Sequence, residues 1–291
     1  MVDFLQMVLS GIAVGSSYAL MGLGMVLIYK ASKVPNFVQG EMALLPVFIA
    51  FMLLSSYNVP YYIAFPATLI FAFFLGCFLE FAILRRAKAP NILGLIIITI
   101  GMEMMLLGFV SWKFGASQRA MPFPISSYDS IIIGDIFISS LDMLTLVVAL
   151  VIMLGLFLFF RFSKMGVAMK ATQMNENAAA LMGIKTKQIR MVTWGISAMV
   201  GAVAGLLMAP VLVEPYMMWG PMLKGFAGAV VGGMTSLPGA VFGAYIVGIT
   251  EHLFGGYISI EFKSVVAFVI IVIVLCIRPS GLFARHYVKK V

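Results

Sequence analysis

Four carboxylates stand in or beside apolar runs of this chain: Glu41, Glu80, Glu103 and Glu251. An ionised carboxylate at the centre of a bilayer costs about 2.5–3.5 kcal/mol on insertion scales, so each needs a partner, a proton or a task. Glu103 is central in its run, within Met102-Glu103-Met104-Met105. Its carboxyl either lines a polar path or, protonated, hydrogen-bonds a neighbouring helix. Glu41 closes the polar group Asn36-Phe37-Val38-Gln39-Gly40-Glu41. There it either meets the positive end of the next helix or joins Asn36 and Gln39 as a polar gate. Glu251 and His252 fall at the end of an apolar run, where headgroups solvate charge, and the same two readings apply. Glu80 lies close to Arg85 and Arg86, a spacing that predicts an interfacial ion pair.

Nothing nearby turns these groups towards catalysis. His252 and His286 are far apart and lack metal-ligand spacing, so no metal site is expected. Cys77 and Cys276 both sit inside apolar runs and read as buried thiols rather than a disulfide pair. No stretch matches G-x-x-x-x-G-K-[ST], so the chain is expected to bind no cofactor and to hydrolyse no nucleotide itself. Its chemistry is then the passage of a solute rather than its conversion.

The elements that must position these residues are membrane helices. The chain is 63% hydrophobic and 10% charged, with a mean hydropathy of +1.10, against roughly 25% charged in a soluble domain. Apolar segments fall at 4–29, 41–54, 61–84, 92–112, 141–160, 191–213, 226–254 and 264–277. They predict an all-α polytopic membrane protein with about eight hydrophobic segments in two pseudo-symmetric halves. One transmembrane domain spans 1–291: a first half at 1–160 with an outer loop at 113–140, a cytoplasmic connection at 161–190, and a second half at 191–291.

Two segments are interrupted in mid-membrane, at 36–41 and at Gly232-Gly233-Met234-Thr235-Ser236-Leu237-Pro238-Gly239. A broken helix exposes N–H and C=O groups that protein, water or a ligand must satisfy. Breaks in corresponding positions of two halves point to a permeation path. The candidate path or gate residues are therefore Asn36, Gln39, Glu41, Glu103, Gly232, Gly233, Ser236, Pro238 and Glu251.

The net charge of +8 gathers in loops, which argues against nucleic acid as its partner and for cytoplasmic loops facing lipid headgroups. Arg85, Arg86 and Lys88 form one cluster, six basic residues between Arg161 and Arg190 a second, and Arg278, Arg285, Lys289 and Lys290 a third. The N-terminus is expected outside and the C-terminus inside. Asp3, with no Lys or Arg before the first apolar run, argues against a cleavable signal peptide. Counting crossings, 226–254 must return to the side it entered from, as a re-entrant or broken hairpin hinged near Ser236-Leu237-Pro238-Gly239. In the outer loop, apolar runs flanking Gly134-Asp135 predict a small β-hairpin.

In the cytoplasmic connection, capping rules predict a short helix starting near Asn175 or Asn177 and ending at Gly183. Leu181, Met182 and Ile184 form its apolar side, and its alanines admit close approach of a partner. The expected contact set is Gly166, Asn175, Asn177, Ala178, Ala179, Leu181 and Gly183.

Taken in order, the first polar break, the run Gly166 to Ile184 and the Gly232–Gly243 stretch followed by Gly248 and Glu251 resemble branched-chain amino acid ABC transporter permeases of the H-type subunit. Pro46 departs from that pattern, which has Gly there. The resemblance implies a related M-type permease, two cytosolic ATPase subunits that consume the ATP, and a solute-binding protein on the outer face of the cytoplasmic membrane. The outer hairpin would dock that binding protein or simply cover the bundle. Implied cargo is leucine, isoleucine, valine or related small amino acids or amides. The competing expectation is an ion-coupled secondary transporter with Glu103 as its coupling group.

Overall fold

In lipid only a helix satisfies the backbone of a single apolar segment, and helices dominate the computed structural model, which describes residues 2–87, 91–124, 130–133 and 136–283. Among these, six helices are long and apolar enough to cross a membrane. They are α1 (Val2–Ser32), α3 (Tyr61–Ala82, extended by a 3-10 turn), α4 (Ile92–Phe114), α5 (Ser140–Phe162), α8 (Thr186–Met208) and α10 (Leu237–Tyr257). Shorter apolar helices are α2 (Gln39–Ser55) and α11 (Val265–Ile277), and α9 (Trp219–Gly232) is a short helix carrying Lys224. Two more, α6 (Lys164–Met174) and α7 (Glu176–Leu181), form the polar connection. The protein is an all-α polytopic membrane protein.

The chain divides into two compact units. One gathers 1–26, 125–149 and 220–291, the other 27–124 and 150–219, so the boundaries fall inside α1 and α5.

In the first unit, α1, α9 and α10 meet through small residues, the means by which membrane helices approach when lipid supplies no hydrophobic drive. A Cβ on Gly22 would stand 2.8 Å from the carbonyl oxygen of Gly225, and one on Gly11 2.7 Å from Cα of Ile249. The 226–254 segment is broken, as expected. Helix α9 ends at Gly232, Gly233 takes φ 99°, and α10 starts at Leu237. Ser236 Oγ accepts the Gly239 N–H at 3.1 Å, and Pro238 occupies the first turn, where its missing donor costs nothing. The two helices run back antiparallel so closely that a Cβ on Gly232 would fall on the Gly239 carbonyl. Gly232→Ala is therefore expected to destabilise the hairpin by about 3 kcal/mol, the upper end of overpacking costs, read as a lower melting temperature in detergent; an unshifted transition would contradict this packing.

The carbonyls orphaned at the end of α9 find partners in the chain's own tail. Leu282 N–H donates to Val231 O at 2.8 Å and Phe283 N–H to Gly232 O at 3.1 Å. Two strands, β1 (Ser130–Ile133) and β2 (Ile136–Ser139), pair antiparallel, and Phe137 exchanges hydrogen bonds through its backbone with the Gln6 side chain of α1. The connecting Gly134 and Asp135 lie outside the described residues, as do Lys88, Asp129 and the tail with Arg285, His286, Lys289 and Lys290.

In the second unit α8 is the hub. Gly195 opens space for Phe73 and Cys77 of α3, and Gly201 and Gly205 admit Gln39, Ala43 and Val47 of α2. The break before α2 is made by Lys33 in the left-handed region (φ 62°), followed by Pro35. Helix α2 then continues through Pro46 to Ser55. Outer faces of α4 and α5 carry exposed Ile97, Met104, Phe109, Val151 and Leu154, the surface a lipid chain requires. Cys77 is half-buried, but Cys276 is exposed on α11, a correction to its reading as a buried thiol. Its helix presents that side outward.

Candidate functional site

At the first break the polar residues turn inward. Asn36 and Gln39 have no solvent exposure, because both are held against α8. Asn36 Nδ2 donates to Gln39 Oε1 at 3.2 Å, Ser197 Oγ donates to the same oxygen at 2.9 Å, and Gln39 Nε2 donates to Ser197 O at 3.2 Å. Asn36 also lines a small cavity with Ser32, Pro35, Leu95, Thr99 and Trp194. Glu41 sits in the first turn of α2, facing its positive end, and is buried with one carboxylate oxygen lacking a protein hydrogen bond. Glu103 is buried at the middle of α4 and lies near enough to Glu41 to act on it electrostatically. Two buried carboxylates thus share one interior region of this unit.

In the other unit, the turn residues serve the backbone. Ser236 caps, Pro238 starts α10, and Gly232 and Gly233 allow the close return. Glu251 is not solvated at a membrane edge: it is 1% exposed. Its Oε1 accepts from Lys224 Nζ of α9 at 2.5 Å, and the ammonium also stands 5.4 Å from the ring centre of Tyr18 in α1. The headgroup reading fails because α10 turns Glu251 towards α9. His252 Nδ1 lies 3.1 Å from Gly248 O and its Nε2 3.3 Å from Lys263 Nζ, so the ring donates from Nδ1 and accepts at Nε2. Lys263, in the loop before α11, is held below the usual lysine value, first by burial and then by the Lys224 charge.

Lys224 is the residue that sequence reading passed over. Its signal was a lone lysine beside an apolar run, which demands a counter-charge as much as a lone glutamate does.

Glu80 is corrected as well. Its side chain is fully buried and pairs with Arg190 of α8, Nε to Oε1 at 2.8 Å, while Arg85 and Arg86 lie 5.6 and 5.9 Å over the Phe81 ring. Arg190 is more distant in sequence than a helical-spacing rule can see.

The connection at 161–190 forms two short helices, α6 and α7. Ser163 caps α6 through Gly166 N–H at 2.8 Å, and Asn175 caps α7 through Ala178 N–H at 3.0 Å. Gly183, with φ 83°, follows the end of α7. Asn175, Asn177, Ala178, Leu181 and Gly183 are exposed. Gly166 and Ala179 are not: Gly166 packs against the backbone of Phe159 and Phe160, and Ala179 is 5% exposed. These two are buried within the chain, since α7 lays its Ala179 face on it. The exposed apolar tip is Leu181 and Met182, 90% and 83% exposed.

Broken helices in a polytopic bundle, buried intramembrane charges and a capped helix pair outside it define a transport protein by architecture. The chain belongs to the family described as branched-chain amino acid transport system / permease component, which it matches over residues 7–275. It is 31% identical to the high-affinity branched-chain amino acid transport system permease protein LivH of Salmonella typhimurium, covering 99% of this chain and 98% of that protein. It is likewise 31% identical to the high-affinity permease protein BraD of Pseudomonas aeruginosa, with 99% and 98% coverage. Its fold resembles a chain of PsaBC from Streptococcus pneumoniae, solved in complex with Fab, with a TM-score of 0.51, 15% identity and 95% and 92% coverage.

Proposed function

We propose that the chain is a permease subunit of an ATP-driven importer that moves branched-chain amino acids, or related small amino acids and amides, across the cytoplasmic membrane. The observation that carries this reading is end-to-end likeness to permeases named for that cargo. Each unit contributes candidate path residues: Asn36, Gln39, Glu41 and Glu103 in one, and Gly232, Gly233, Ser236, Pro238 and Glu251 in the other. Work is supplied from outside the chain, by two cytosolic ATPase subunits that engage the exposed tip of α6 and α7. A related M-type permease completes the pore, and an outer solute-binding protein delivers cargo near β1 and β2. The N-terminus is then outside, and the basic loops and C-terminus inside.

The test is reconstitution. The chain purified from its own membrane is expected to bring ATPase and second permease chains with it, and vesicles holding the assembly and its binding protein are expected to accumulate leucine only with ATP. Accumulation by the chain alone on an ion gradient would replace this reading with the secondary carrier.

A further inference from the structure

Arg190 joins three helices of the second unit. It stands near the start of α8, its Nε bonds the fully buried Glu80 of α3 at 2.8 Å, and its Nη1 lies 3.9 Å from Oε1 of Glu176, at the start of α7. The two ends of this bridge differ. Glu80 has no exposure and its second oxygen has no hydrogen-bond partner, so the guanidinium is the only charge that the structure pairs with it among the described residues. Glu176 is 49% exposed and the gap to it is too long for a hydrogen bond. The planar, forked guanidinium is suited to holding two carboxylates at once. One grip is firm and inside the bundle; the other is loose and on the cytosolic helix.

We infer that Arg190 is a positioning residue for energy coupling: displacement of α7 tightens its contact with Glu176, and the buried Glu80 bond passes that displacement to α3 and α8. Closing 3.9 Å to the ~2.8 Å of a charge-assisted hydrogen bond needs a shift of about 1 Å. A movement of that size at a helix interface is enough to select between packed arrangements. The attraction between Arg190 and Glu176 strengthens as their gap closes, so the open and closed positions differ in energy. This inference rests on the proposal that α6 and α7 meet the ATPase.

The experiment measures ATP hydrolysis and leucine uptake in the same vesicles, using the complete assembly. Glu176→Gln removes the loose end and leaves the buried pair intact, so the fold and the ATPase content are expected to stay as they are. Uptake per ATP is expected to fall about tenfold, within the range of ordinary allosteric couplings. Arg190→Gln with Glu80→Gln, which leaves no buried charge unpaired, is expected to give the same loss. Adding Glu176→Gln to that pair is expected to lower it no further. Unchanged uptake per ATP in either background, or losses that multiply, would overturn the inference and leave Glu176 as a helix-terminal charge. Retention of the ATPase by a Leu181→Asp variant would remove the docking surface and this inference with it, whereas failure of any ATPase to copurify with the unaltered chain would overturn the importer reading itself.

Discussion

Lys224→Met is expected to cost about 3–5 kcal/mol, the usual penalty for leaving one member of a buried ion pair alone. The reason is local. Glu251 is 1% exposed, its Oε1 takes the Lys224 proton at 2.5 Å, and its Oε2 has no other protein partner. Without the ammonium, the carboxylate must pick up a proton or pull α10 away from α9. The glycine contacts that hold α1, α9 and α10 together leave little room for the second course. Met keeps the length and the apolar stem of lysine, so the lost volume is small and the measured change reports charge. A thermal melt of the detergent-solubilised protein is expected to shift down steeply for Lys224→Met, and the paired variant Lys224→Met/Glu251→Met is expected to recover most of it. Equal melting of the single and double variants would show that the pair carries no stability.

On the proposed docking of an ATPase at α6 and α7, Leu181→Asp is expected to separate transport from its energy source. Leu181 and Met182 stand 90% and 83% exposed at the tip of α7, the kind of apolar anchor that dominates an interface when a partner covers it. Losing such an anchor costs about 2 kcal/mol or more, so ATPase affinity is expected to fall about thirtyfold with no change in the melting of the chain itself. Ala179→Arg is the informative contrast. At 5% exposure the arginine has no place to go without lifting α7, so that variant is expected to melt earlier before any docking is measured. Copurification separates the two cases: loss of the ATPase from a stable Leu181→Asp protein supports the docking surface, and full retention removes it.

What the sequence disclosed was local. Apolar runs, the two breaks and the Asn175 cap depend on residues within a turn or two, and each element formed near its expected place. Partners across the fold were not legible. Glu80 and Arg190 are 110 residues apart and Glu251 and Lys224 are 27 apart, and no periodicity links them. Which face of α7 points outward depends on the docking of that helix, so Ala179 and Leu181 looked alike as candidates and separated only in space. The division into two units is of the same kind, since it joins 1–26 with 220–291. Pro46 shows the reverse: a local helix breaker is carried through α2 because the surrounding buried side chains hold the helix together.

The bonds from Leu282 and Phe283 to the last carbonyls of α9 tether the hairpin tip to the end of the described chain. A tip anchored in this way cannot swing as a free flap. Either it stays fixed, or it travels with residues 281–283 as one lever. A spectroscopic label at Phe283 would therefore register the motion of the hairpin tip.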